Sequence, residues 1–309
     1  LPEGGSMLSS TLEHPASMIA LKKWEKNTQR SHIIVEHNDD SGSVDEQAYI
    51  KKLTSDVRVV SIVHTSPVTG MTVDLEKITK EVRNVTPDCI IIVDGIQHSS
   101  HGAIDVQKYD IDGYVVSPYK MFSRHGYGVA WASERLCSLN KEQLADGPFQ
   151  NWELGTRDAG SYATFSDVVD YLDWLGSNFT ESENTRERLE ASSIAIKSHE
   201  QELVDLVING AEDIVGLRNN KKIRIIGNPA STSREGVVSF FHKNKPSSII
   251  VEELRQRKIR VHIRKDDHYC GNILRPLNQK DCIRFSICHY NSKAEVVEFL
   301  RAINEISAN

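Results

Sequence analysis

The sequence predicts an α/β fold: a large part built on a mainly parallel sheet, then a small α+β part at the C-terminus. Three observations carry this. Short β-branched runs alternate with amphipathic stretches over the first two thirds. One long, highly charged stretch with apolar residues at helical spacing covers 181–208. After Lys221 the pattern changes to strand, helix, strand, strand, helix.

Taken in order, the candidate strands of the large part are residues 33–36, 58–64, 89–94, 113–117 and 128–132. Between the second and third, Leu75, Ile78 and Val82 recur at helical spacing behind the turn residues Pro67 and Gly70, which predicts a crossover helix over 73–82. Phe165, Val168, Val169, Leu172 and Leu175 form one stripe of a helix over 164–179. The small part reads as strands at 223–226, 236–241, 260–263 and 282–286 with helices at 248–258 and 293–306. The expected organisation is therefore a large domain over 1–180, a connecting helix over 181–209 and a small α+β domain over 210–309. A chain of 309 residues buries roughly 75% of its unfolded surface, so it needs no metal or disulfide scaffold.

Composition narrows the function. No apolar run approaches the ~18 residues of a membrane span. The 37 basic and 43 acidic residues leave a net charge of -6, and the basic residues are scattered, against a nucleic-acid backbone binder. The 5 cysteines form no CxxC pair, so neither a disulfide framework nor a zinc site is indicated, and a reducing cytoplasmic setting is expected. LPEGGSMLSS has no signal-peptide features and does not begin with Met; it reads like the middle of a protein.

The chemistry concentrates in two strand ends, where ligands of α/β sheets collect. In VDGIQHSSHGAIDV, residues 93–106, an apolar strand delivers Asp94, and Gln97 follows three residues later. In GYVVSPYKMFSRHGYGVAW the strand over 113–117 runs into Lys120. Either residue alone fits a helix-capping carboxylate or a solvated lysine. Together they fit pyridoxal phosphate catalysis: a lysine holds the cofactor as a Schiff base and a carboxylate keeps the pyridine nitrogen protonated, making the ring an electron sink.

From Glu13 to Asn291 the chain resembles the class V aminotransferase family, which includes cysteine desulfurases, selenocysteine lyase, isopenicillin N epimerase and related C–S lyases. Six pieces stand in order: Glu13-His14-Pro15-Ala16, Thr69-Gly70, Asp94 to Gln97, Ser117 to Lys120, Glu153 to Thr156, and IRFSICHYNS from Ile283 to Ser292. The resemblance implies the dimeric type I pyridoxal phosphate fold with active sites shared between subunits. It implies that Lys120 carries pyridoxal 5'-phosphate and moves protons, Asp94 pairs with the pyridine nitrogen, Gln97 hydrogen-bonds the phenolic oxygen and His14 stacks on the ring. Ser117, and Thr156 from the neighbouring subunit, would contact the phosphate. Arg284 would clamp the α-carboxylate of an amino-acid substrate, because its planar fork suits bidentate pairing.

The departures bear on substrate handling. Tyr119 precedes the lysine where desulfurases usually carry His, and Pro67 stands where Asn is common. The turn Ser123-Arg124-His125-Gly126 adds a cation and an imidazole near the site. Ser-Pro-Tyr-Lys with the later DYLDWLG is more like the desulfurase-like branch of the family than like its housekeeping desulfurases, and the family's N-terminal phosphate-cradling turn has no counterpart before Leu1. Cys270, in HYCG, falls close to the sulfur-accepting thiolate of one desulfurase group, and flanking histidines would lower its pKa. Its surroundings lack the usual Arg-x-Gly-His-His run, and buried cysteines serve most often as small hydrophobes. The expected activity is C–S bond cleavage by a desulfurase-like enzyme or C–S lyase. The alternatives are an epimerase or aminotransferase of the same family, and a non-catalytic, N-terminally truncated relative. No metal and no nucleic-acid partner are expected.

Overall fold

The computed structural model describes residues 4–148, 152, 154–156 and 158–308. Strand β1 (Ser6–Ser10) enters the sheet behind Gly5 and is buried along its whole length. Helix α1 (Pro15–Thr28) starts with Pro at its first turn, is capped by His14, and ends on Gln29 in the left-handed region, φ 54°. β2 (Ser31–Val35), the short α2 (Glu46–Ile50), β3 (Val57–Val63) and α3 (Leu75–Val85) follow. Asp74 caps α3 by accepting from the Lys77 amide, and Leu75, Ile78 and Val82 are its buried stripe. β4 (Ile90–Asp94), β5 (Gly113–Val116), β6 (Val129–Ala132) and the one-turn α4 (Glu134–Cys137) complete this part.

These strands form one sheet in the order β2-β1-β3-β4-β5-β6. The first five run parallel, and β6 pairs antiparallel with β5. The strand expected at 128–132 thus exists but is not one of the parallel set. The link from β5 is a loop with one short turn, without the crossover helix that usually returns a strand in parallel. β1 and α1 were not foreseen: SMLSS contains no β-branched residue, and α1 exposes Ile19 and Trp24 rather than presenting a clean apolar stripe.

Helix α5 (Ala159–Gly176) begins earlier than its apolar stripe suggests, because Asp158 caps it through the Ser161 amide. α6 (Thr185–Asn209) packs its first half on α5 and buries Leu203, Val204, Val207 and Ile208 of its second half in a second core. A small ribbon of β7 (Gly210–Ala211) and β8 (Ile214–Val215) follows, then β9 (Ile223–Ile225), β10 (Val237–His242), α7 (Ser247–Gln256), β11 (His262–Lys265), the one-turn α8 (Gly271–Leu274), β12 (Asp281–Ser286) and α9 (Lys293–Ala308). The second sheet, β11-β12-β10-β9, is antiparallel. β11 lies two residues later than the expected 260–263. A left-handed Lys258 and an Ile259 amide donating to Leu254 extend the turn after α7, and pairing of His262 with Arg284 fixes the register. Among the described residues no helix is long and apolar enough to cross a membrane.

The two sheets are tied beside the Thr69-Gly70 turn. Arg234 is 2% exposed and donates to the carbonyls of Thr69, Ile226 and Val237. Gly70 is left-handed at φ +74°, and a Cβ there would lie 2.1 Å from the Val237 carbonyl oxygen, so only glycine fits the crossing.

Candidate active site

The carboxyl ends of β4 and β5 and the inner edge of the second sheet enclose a cavity of about 680 Å³ whose wall includes His14, Gln97, Lys120, Arg264, Cys270 and Arg284. β4 ends on Asp94, whose Oδ1 accepts from the Ile96 amide at 3.0 Å and turns the chain into a short 3-10 turn over His98–Ser100. Gly95 permits this turn, since a Cβ there would sit 2.1 Å from the Tyr114 ring. β5 passes through Ser117 into another 3-10 turn, Pro118–Lys120, closed by the Lys120 amide on the Ser117 carbonyl at 2.9 Å. Lys120 Nζ then donates to Gln97 Oε1 at 3.0 Å. The two strand-end motifs therefore meet side chain to side chain.

Burial shapes the charges. It depresses Lys120 to about 8, helped by the Arg284 charge and opposed by Asp94, so a neutral amine is accessible near physiological pH. Burial also raises Asp94, against the pull of the Ile96 amide and the charges of His14 and Lys120. His14 is held below its ordinary value by burial; its Nδ1 accepts from the Ala16 amide at 3.2 Å, and its ring meets Tyr269 edge-on at 5.2 Å. Beneath it, Glu13 is 4% exposed and pushed up to about 8 by burial, while it accepts from Ser10 Oγ (3.0 Å), Ser61 Oγ (3.2 Å) and the Val63 amide (3.0 Å).

From the opposite side come two arginines. Arg284, on β12, donates through Nη1 to the Pro67 carbonyl at 3.1 Å, and Arg264 sits on the neighbouring strand β11. The Nε of each is buried without a partner among the described residues. Burial and the neighbouring Arg264 charge bring Arg284 down to about 10. Two cations held this close with donors unspent are prepared for an anion.

Not every expected residue joins this group. Asp94 lies behind the wall and acts on His14 and Lys120 through its charge. Ser117 is half-buried in the β5 turn and is not part of the cavity lining, and Thr156 is exposed and outside it. Glu153 lies outside the described residues. Arg124 pairs with Asp158 and Ser161 instead of reaching the cavity, while His125 stacks on Tyr119 at 4.3 Å. For Cys270 the expected lowering of pKa is corrected. The thiol is 2% exposed, and burial raises it by more than Arg264 and Arg284 lower it.

The sequence reading missed Arg264, His101 and Glu200. His101 Nε2 meets Gln97 Nε2 at 3.2 Å, and His101 Nδ1 meets Glu200 Oε2 at 2.6 Å, both ends buried. HSSH directly after Asp-x-x-Gln was the available signal for His101. Nothing local marked Glu200, which is 99 residues away.

This donor set fits pyridoxal phosphate: an amine of depressed basicity, an imidazole and a carboxamide line one cavity with arginines opposite, and a buried carboxylate acts on the amine and the imidazole from behind its wall. Comparison with known proteins agrees. The chain is 23% identical to a probable cysteine desulfurase of Pseudomonas putida, covering 99% of this chain and 72% of that protein. It is 26% identical to a cysteine desulfurase of Synechococcus elongatus, of which it spans about half the length (47%). The apo structure of a cysteine desulfurase from Thermococcus onnurineus superposes with a TM-score of 0.80 at 19% identity, covering 100% of this chain and 74% of that one. A C-DES mutant with glycine covalently linked to its PLP cofactor superposes with a TM-score of 0.69 at 16% identity, covering 97% and 74%. These likenesses show the type I fold. The family model for aminotransferase class V matches residues 1–299, and the chain belongs to that family of pyridoxal phosphate-dependent enzymes.

Proposed function

We propose that this enzyme cleaves the C–S bond of a sulfur-containing amino acid. The observation that carries the reading is Lys120: a lysine brought down to about 8, 3.0 Å from Gln97, facing a cavity that also holds Arg284. Bound pyridoxal phosphate supplies the electron sink that lets a bond at the substrate's Cα or Cβ break.

The chain's own groups do the rest. Lys120 holds the cofactor and, when released from it, takes the proton from Cα; its depressed pKa makes it a base near neutral pH. Asp94, buried at the end of β4, keeps a positive charge on the pyridine nitrogen. Gln97 would donate to the phenolic oxygen and His14 would stack on the ring, both from the cavity wall. Ser117, though outside the cavity lining of the single chain, would reach the phosphate together with Thr156 of a second subunit in a homodimer; the exposure of Thr156 leaves it available to a neighbour. Arg284 takes the substrate carboxylate, and its unspent Nε fits that use.

With its thiol pushed up by burial, Cys270 is a neutral wall residue at neutral pH, and sulfur leaves as the eliminated thiol or sulfide. A second reading has one specific support: Cys270 lines the same cavity as Arg284 and Lys120, and the named relatives are cysteine desulfurases. There the Cys270 thiolate attacks the substrate sulfur, an S–S bond forms, and the C–S bond breaks.

The holoenzyme incubated with a panel of amino acids decides between activities. Sulfide with pyruvate marks elimination, alanine with sulfur retained on the protein marks desulfuration, and amine transfer or racemisation without sulfur release would refute C–S cleavage.

A further inference from the structure

We propose that Glu200 and His101 are positioning residues that choose which end of the Gln97 carboxamide faces Lys120 and the cofactor, by gaining or losing one proton on His101 Nε2. The inference rests on the reading of this cavity as the pyridoxal phosphate site. Its observations are the continuous buried line from Lys120 Nζ to Gln97 Oε1 (3.0 Å), from Gln97 Nε2 to His101 Nε2 (3.2 Å) and from His101 Nδ1 to Glu200 Oε2 (2.6 Å).

A carboxamide has one donating and one accepting end, and a neutral imidazole has one of each. In the structure the Lys120 ammonium takes the accepting end of Gln97. The donating end must then point at His101 Nε2, which has to be bare, so the proton of neutral His101 is on Nδ1 and is donated to Glu200. Every partner in the line is thereby fixed. The bound cofactor reverses the demand. If the phenolic oxygen of the cofactor takes a donor from Gln97, the amide would offer its donating end to the cavity and turn its oxygen towards His101. His101 Nε2 can meet that oxygen only if it carries a proton, which makes the ring an imidazolium on the Glu200 carboxylate. One proton comes from solvent to Nε2 and the amide rotates; no bond beyond N–H forms or breaks.

The surroundings favour this exchange. Glu200 is 3% exposed, and its Oε1 is buried without a partner among the described residues; burial, with the Glu235 charge, raises its pKa, against the hydrogen bond and charge of His101 and the charge of His199, so its negative charge is best held when His101 is positive. Burial works against a charged His101, yet the hydrogen bond and charge of Glu200, joined by the charge of Glu235, more than offset it and raise its pKa. Lys120 opposes from the turn after β5, and His289 faces the same ring from the segment after β12. A Gln97 oxygen turned towards His101 would give the Nε2 proton its acceptor, so cofactor binding and His101 protonation would reinforce one another.

Spectra of isotope-labelled histidine rings test this without reference to turnover. Cofactor-free wild-type protein at mildly alkaline pH should show His101 as the neutral Nδ1–H tautomer, and adding pyridoxal 5'-phosphate should convert it to the doubly protonated ring. Glu200→Gln keeps an acceptor for Nδ1 and removes the charge. It should hold His101 neutral and, above the lowered pKa, weaken cofactor binding about tenfold for each unit of lowering. Wild-type His101 that keeps one neutral tautomer while the protein turns yellow would overturn the proposal and leave the cofactor site standing. Protein that never takes up the cofactor would overturn both.

Discussion

The two walls of the cavity treat their charges in opposite ways. On the β4–β5 side Asp94 is held by the Ile96 amide, Lys120 by Gln97, Gln97 by His101 and His101 by Glu200. On the β11–β12 side Arg264 and Arg284 each keep a buried Nε with no partner among the described residues. Burying an unpaired polar group costs about 1–3 kcal/mol, more when it is charged, so the second wall is in a higher-energy state that an anion would relieve. The first wall's groups are thus tied to one another, with only the far Glu200 Oε1 unspent, while the second wall keeps its free donors on the guanidiniums that line the cavity, as the proposed resident cofactor and visiting carboxylate require.

The largest way to break the comparison is to remove the waiting charge. Arg284→Ala deletes a charge-assisted hydrogen bond of ~1.5–3 kcal/mol and should raise KM for amino acids by about tenfold to a hundredfold, leaving the cofactor spectrum intact. Steady-state kinetics beside visible absorbance checks both halves. Equal activity on the decarboxylated amine would show that Arg284 does not select the carboxylate.

Glu13 probes the floor under the first wall. Its folded pKa is raised, from 4.5 to about 8, so between those values the folded protein binds more protons than the unfolded chain, and stability falls as pH rises through that window. Glu13→Gln reproduces the protonated carboxyl and should abolish this loss. The two proteins should melt together at the acid end and separate with rising pH, by about 1.4 kcal/mol per unit at most. Thermal melts across the window that run in parallel would contradict the assignment.

Cys270→Ala should have the smallest effect. A buried, neutral thiol acting as wall leaves turnover within about threefold when it is truncated. Loss of desulfuration in this variant, with sulfur found on Cys270 of the wild type after turnover, would move Cys270 from the wall into the chemistry.

The sequence made the first wall legible and only part of the second. β3, β4 and β5 announced themselves as β-branched runs, and a strand end places its next side chains at a predictable spot, so Asp94, Gln97 and Lys120 could be found together. β1 could not, since two of its three serines, Ser9 and Ser10, are buried through hydrogen bonds to His32 and Glu13 that no local pattern encodes. Arg284 was visible through its motif. Arg264 was not, because its place beside Arg284 depends on the register of β11 on β12, set by the turn after α7. Glu200 lay furthest from view: one carboxylate among many on a charged helix, made special only by packing against a histidine turn 99 residues earlier.

The central claim is that the preorganised wall holds pyridoxal phosphate on Lys120. Borohydride reduction of the yellow protein followed by peptide mapping tests it most directly. The visible band should disappear and the pyridoxyl mass should fall on the peptide containing Lys120. A label on another lysine, or a colourless protein that takes no label after incubation with pyridoxal 5'-phosphate, would contradict it.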